Sequence, residues 1–165
     1  MSIGRAKGIQ LVVFRIAKEY FGVSIGSIRE IVRLPEITEV PDAPEFLEGM
    51  INLRGRIVPV IDLKKRLRLR GDERTKATRV LITDGAESMS GLIVDSVDEV
   101  IRVDEDEIEE PPEIMTAIGI EFITGVAKVE DRLIILLDLK RVMSPEDMKN
   151  MSDAAREVDD PVNAV

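Results

Sequence analysis

Apolar residues in this chain fall in short runs and alternations, and few stretches carry them at helical spacing. The segments 10–16, 20–25, 50–53 and 56–61 are rich in β-branched residues and bounded by turn formers, which predicts strands. A second set with the same character follows at 79–83, 89–94, 126–129 and 132–137. Helical signals are sparse. Asp95 reads as the N-cap of a single turn presenting Val97 and Val100, and Ser27 and Ile28 begin an equivalent turn. Near the end, Ser144-Pro145-Glu146-Asp147 is a strong helix start, with a cap, a proline at the first helical position and acids against the dipole. It predicts a C-terminal helix over 144–158, with Met148, Met151, Ala155 and Val158 on one face, followed by a loose tail at 159–165.

The two sets of strands are copies of one unit. EGMINLRGRIVPVIDLKKRL (48–67) aligns without a gap on TGVAKVEDRLIILLDLKRVM (124–143), matching Gly49 with Gly125, Arg56 with Arg132, Asp62 with Asp138 and Lys64 with Lys140. GVSIGSIREIVRL (22–34) aligns on GLIVDSVDEVIRV (91–103), matching Gly22 with Gly91, Ser27 with Ser96, Glu30 with Glu99 and Arg33 with Arg102. Phe46 and Phe122 extend the first match, and the second copy carries a longer acidic insert at roughly 104–121. Two matches in the same order point to an internal duplication. The expected fold is therefore mainly β: two small barrels, one from a first half at about 9–67, the other from a second half at about 78–143, joined by a linker at 68–77. The sequence leaves open whether strands are exchanged between the barrels. Pro59 cannot donate a ladder hydrogen bond, which predicts an edge strand or a bulge there.

Composition narrows the chemistry. Apolar residues make up 44% and charged residues 33%, enough for a core in one compact domain. The longest apolar run, 133–137, is far too short to span a bilayer, and residues 1–8 lack the apolar stretch of a signal peptide, so a cytoplasmic protein without direct membrane insertion is expected. The chain has no histidine and no cysteine, which removes disulfides, thiolate nucleophiles, Cys/His metal sites and the side chain best suited to proton transfer near neutral pH. The net charge of −9 argues against nucleic acid as a partner.

Each surviving chemical reading has a plainer competitor. The duplicated Asp62 and Asp138 could form a carboxylate pair of the kind found in aspartic proteases. Each, however, ends an apolar strand and precedes Leu-Lys-Lys or Leu-Lys-Arg, the setting of a helix N-cap. The acidic run Asp104–Glu110 lacks the glycine and ligand spacing of an EF-hand loop, and a solvated charge run is the simpler account. The basic run Lys64, Lys65, Arg66, Arg68, Arg70, Arg74 and Lys76 has no interleaved aromatics for stacking bases; it reads as a solvated linker, with an acidic partner as the alternative. Asn52-Leu53-Arg54-Gly55 reads as a tight hairpin, yet the second copy has Lys128-Val129-Glu130-Asp131 there, so Arg54 and Gly55 are free for a task of their own. A groove between two barrels, lined by Ile28, Ile31, Val97 and Val100, would suit an amphipathic helix.

The run from Phe46 to Leu63, FLEGMINLRGRIVPVIDL, closely resembles the signature of the CheW family of chemotaxis coupling proteins. Tyr20-Phe21-Gly22-Val23, Ile28-Arg29-Glu30-Ile31, Gly91-Leu92-Ile93-Val94-Asp95 and Phe122-Ile123-Thr124-Gly125 carry the resemblance across about 9–143. It implies two intertwined SH3-like five-stranded β-barrels and a non-catalytic adaptor without cofactor or metal. It also implies two partners, the methyl-accepting chemotaxis receptors, whose helical hairpin tip lies between the barrels, and the regulatory domain of the histidine kinase CheA. Such an adaptor is expected to be monomeric alone and part of receptor arrays. By position, the resemblance places Arg54, Val97, Val100 and Gly125 toward the receptor, and Ile28, Glu30 and Gly49 toward the kinase. Ile114, after Pro111-Pro112-Glu113, stands where some members carry an aromatic used in a second kinase contact, which is expected to be weaker or differently charged here.

Overall fold

Why this chain cannot be two independent halves is visible in how its strands pair. The computed structural model describes residues 8–71, 73–84, 88–113 and 122–142; Ile114 and the segments 144–158 and 159–165 lie outside them. The strands are β1 Ile9–Ile16, β2 Glu19–Ser24, β3 Glu30–Arg33, β4 Leu47–Leu53, β5 Arg56–Asp62, β6 Arg79–Asp84, β7 Met89–Val94, β8 Ser96–Val103, β9 Ile108–Glu109, β10 Ile123–Val129 and β11 Arg132–Leu137. Two four-residue helices follow β5 and β11: α1 Leu63–Arg66 and α2 Leu139–Val142.

One predicted element is overturned. Ser96–Val103 is a strand paired along β1, not a helical turn capped by Asp95. Val97, Val100, Ile101 and Val103 are β-branched, and β1 offers an unpaired edge to receive them, so pairing prevails over one isolated turn. In the first copy a 3-10 turn at Ile25–Ser27 ends where a turn was expected to begin, and Ile28 is already extended. The caps at Asp62 and Asp138 are as expected. Asp62 accepts hydrogen bonds from the Lys64 and Lys65 amides, and Asp138 accepts one from the Lys140 amide at 2.9 Å. A carboxylate committed to its own helix start is a structural group.

The larger sheet runs in the order β8-β1-β2-β11-β10-β9 and the smaller in the order β3-β6-β7-β5-β4. The repeat maps β1 to β6, β2 to β7, β3 to β8, β4 to β10 and β5 to β11. The larger sheet therefore takes β1 and β2 from the first copy and its other four strands from the second, while the smaller takes β6 and β7 from the second copy and its other three from the first, so the sequence halves are not the spatial halves. The exchange is sealed by two parallel pairings, Leu136 against Gly22 and Val60 against Gly91, which are the same pair of repeat positions. Both leave little or no room for a side chain, Gly91 the less. A Cβ on Gly91 would sit 2.7 Å from Val80 Cγ1 and 2.9 Å from Val60 Cγ1, and one on Gly22 would sit 3.0 Å from Ile134 Cγ2.

Pro59 lies in β5, between β7 and β4, so it is neither on an edge nor at a bulge. In the second copy the parallel pairing covers Ile134 to Leu136; in the first it starts only at Val60 and runs to Asp62. Pairing slides past the residue that has no N–H to give.

Burial alternates as strands demand. Ile51, Leu53, Val58, Val60, Val80, Ile82 and Ile93, with Val32 against them, form one cluster drawn from all five strands of the smaller sheet, which must curl around it. Leu11, Val13, Val103, Ala127, Ile134 and Leu136 fill the larger sheet in the same way. The opposite faces of β1, β6 and β7 meet in a third cluster that includes Val12, Phe14, Leu81, Leu92 and Val94, with Leu63, Leu139 and Val142 from the helices. The continuous apolar runs at 12–14, 80–82 and 92–94 are thus strands covered on both faces. Two barrels share one core between them.

Candidate protein-docking site

The hairpin between β4 and β5 turns through Arg54 and Gly55, both left-handed, with φ of 51° and 86°. Asn52 Oδ1 accepts the Gly55 amide at 2.7 Å and holds the turn. This conformation throws the Arg54 side chain back toward β3, where its guanidinium donates to the Glu30 carboxylate. Arg54 remains 68% exposed and Glu30 26%. The hydrogen bond from Arg54 holds the Glu30 carboxyl below its ordinary value, helped by the charges of Arg54 and Arg29. Beside this pair, Arg29 meets Asp84 at 3.1 Å, and Arg56 touches the Met89 sulfur at 3.9 Å.

The same place on the larger barrel is built from the matching positions with altered charges. Its hairpin turns through Glu130 and Asp131, φ 49° and 66°, so the turn needs no glycine. Where Arg29 pairs with Asp84, the matching ion pair is inverted: Asp98 meets Arg15 at 3.6 Å. Glu99, the match of Glu30, pairs with Arg132 at 3.1 Å because Glu130 replaces Arg54. Tyr20, the match of Met89, is held between two guanidiniums, with Arg15 at 4.6 Å and Arg132 at 4.9 Å from its ring centre. Sequence reasoning missed this cluster. The β1–β2 hairpin register brings Arg15 opposite Tyr20 and was legible, but Arg132 arrives through a parallel pairing with no local signal.

The remaining sequence-predicted residues also fall in matched pairs. Ile28 and Val97 both pack against the shared core. Ile31 and Val100 both face solvent, at 38% and 49% exposure, on the edge strands of opposite sheets. Ile31 and Val100 thus present apolar surface to solvent, whereas Ile28 and Val97 turn theirs to the shared core. Gly49 and Gly125 occupy the same bulge in β4 and β10. There a Cβ would meet Thr38 O at 2.2 Å and Ile108 Cγ2 at 2.9 Å, respectively. Of the four residues assigned to each partner, Arg54 and Glu30 are brought into contact across the assignment.

Part of the basic run is held by ion pairs, while Arg68, Arg70 and Lys76 are exposed. Lys64 pairs with Asp95 at 2.9 Å, Arg74 with Glu48 at 2.9 Å and Asp62 at 3.7 Å, and Lys65 with Glu48. The Arg66 guanidinium lies 5.8 Å from the Phe46 ring centre and 5.9 Å from that of Phe122. Carboxylates along the run tie it to the barrels. Partial burial pushes the Glu48 carboxyl up, but hydrogen bonds from Lys65 and Arg74 outweigh that and hold it below its ordinary value.

A profile of the CheW-like domain matches residues 10–147. The chain belongs to the CheW-like family. It is 33% identical over 150 residues to the chemotaxis protein CheW of Treponema pallidum, covering 87% of each chain. Against the chemotaxis protein CheW of Bacillus subtilis it is 35% identical over 139 residues, 84% of this chain and 89% of that one. Among solved structures it resembles the scaffolding protein TtCheW of Thermoanaerobacter tengcongensis, with a TM-score of 0.76 and 42% identity over 84% of this chain and 90% of that one. The chain is accordingly a non-catalytic chemotaxis scaffold of the CheW family, and Asp62 and Asp138 are helix caps within it. Among the described residues, no helix is long and apolar enough to cross a membrane.

Proposed function

We propose that this chain acts in the cytoplasm as the coupler between methyl-accepting chemoreceptors and the regulatory domain of the kinase CheA, binding both as a monomer that enters receptor arrays. The observation that carries the reading is the Arg54–Glu30 pair, presented at a hairpin tip beside an edge strand, in a chain whose family is that of chemotaxis scaffolds. Edge strands with exposed aliphatics, Ile31 on β3 and Val100 on β8, supply apolar contact surface, and the ion pairs around them supply orientation. Arg54, Val97, Val100 and Gly125 serve the receptor contact. Ile28, Glu30, Gly49 and Ile114 serve the kinase contact. Val97, Ile28 and the two glycines act by shaping the backbone beneath the surface, since their side-chain positions are taken up by core packing or close approach.

The test is titration of the purified chain with a receptor cytoplasmic tip and, separately, with the kinase regulatory domain. Saturable binding to both is the expected result; binding to neither removes the reading. Arg54→Glu should weaken tip binding about tenfold or more, as expected for an exposed charge turned against its partner. Its circular dichroism and melting should stay close to the parent.

A further inference from the structure

We infer that Asp95 is a positioning residue that fixes the angle between the two barrels, and with it the seat of the receptor tip. Asp95 is the single residue between β7, in the smaller sheet, and β8, in the larger. Three elements converge on it. Its backbone amide donates to Arg15 O at 3.0 Å, at the end of β1. Its Oδ2 accepts the amide of Ala17 at 2.7 Å, in the β1–β2 turn, where Ala17 is left-handed with φ of 60°. Its Oδ1 faces Lys64 Nζ at 2.9 Å on α1, the helix that follows β5 of the smaller sheet. One carboxylate therefore binds a turn of one barrel with one oxygen and a helix of the other barrel with its second.

The packing around it explains why this matters. Two clefts of about 670 and 330 Å³ flank the position and share Leu69, Arg70, Gly71 and Asp95 in their walls, so apolar contact is interrupted there. The shared core holds the barrels together, but apolar burial is non-directional and sets separation better than angle. Charge-assisted hydrogen bonds are directional. The duplication supplies an internal control. The matching crossover, between β2 and β3, has Gly26 in place of Asp95 within the Ile25–Ser27 turn, and so offers no carboxylate. Among the described residues, the pin stands at only one of the two equivalent crossovers, where an asymmetric scaffold would set its geometry. The claim about the receptor rests on the coupler reading above; the claim about barrel geometry does not.

The chain has no cysteine, so spin labels can be placed at will. Ile57→Cys on β5 and Leu133→Cys on β11 are exposed positions, one on each barrel. With these labels, Asp95→Ala should widen the inter-barrel distance distribution while each barrel keeps its circular dichroism. Asp95→Asn keeps an acceptor for Ala17 and loses the charge facing Lys64; Lys64→Met removes the other end. Both keep the test open should Asp95→Ala fail to fold, and both should widen the distribution less than Asp95→Ala. The same variants, unlabelled, should lose about tenfold in affinity for the receptor tip, the equivalent of one charge-assisted hydrogen bond, with kinase-domain affinity unchanged. An unwidened distribution in all three variants overturns the pin. A widened distribution with parental tip affinity overturns its role in seating the tip. If the parent itself ignores the tip while the variants widen, the coupler reading fails and the pin stands.

Discussion

At Arg54 a left-handed backbone and an ion pair coincide, and the neighbour it holds is a residue assigned to the other partner. Under the proposed assignment, removing either charge should disturb both contacts, and a double exchange separates them. Glu30→Arg with Arg54→Glu rebuilds the pair in reverse. Kinase-domain affinity should recover in the double variant if Glu30 acts through this pair, whereas receptor coupling should remain impaired if Arg54 meets the receptor directly; isothermal titration of single and double variants reads both. The glycines divide in a similar way. Gly49→Ala places a Cβ against Thr38 O at a left-handed φ of 147°, and should cost about 3 kcal/mol in urea unfolding. Gly55→Ala meets nothing within 4 Å, and should cost only about 1 kcal/mol for its φ of 86°.

Among the elements, β8 shows what one face of a strand does and the next does not. Val97 packs on the shared core and Val100 faces solvent, so Val97→Asp should unfold the chain or lower its melting point sharply. Val100→Asp should leave melting near the parent and weaken tip binding. Equal loss of stability in both would contradict the alternation. Much of this was legible beforehand: eight strands, both caps and the duplicated hairpins follow from local pattern, because period, turn chemistry and capping act within a few residues. The β8 strand was not, since its short apolar set fits a helical turn equally well and only the open edge of β1 decides. The same limit hid the partners of the basic run, which lie on neighbouring strands and turns, and the sandwich around Tyr20, which depends on β2 and β11 meeting from opposite ends of the chain. Of the candidate site, Arg54 and Gly55 stood out because the two copies differ there; the Glu30 contact did not, being set by how a sheet curls.

For the molecule as a whole, charge and topology make two further statements. Without histidine or cysteine, the chain has no side chain whose ordinary pKa lies between about 6 and 8. Chemical-denaturation stability should be flat across that range, and a slope there would contradict the description. Glu30 and Glu48 are held below their ordinary value of 4.5 by arginine and lysine neighbours, so the unfolded chain takes up protons first. Their contribution is present above that value and is lost as pH falls through the lower folded-state values, which an acid titration followed by circular dichroism checks. The exchange of strands bears on how the chain is made. β1 and β2 emerge first from the ribosome but complete their sheet only against β10 and β11, so the larger barrel cannot close until synthesis has passed Leu137. Until then Leu11 and Val13, which end up covered inside that barrel, lack Ala127, Ile134 and Leu136 to pack against, and a nascent chain stalled midway exposes them.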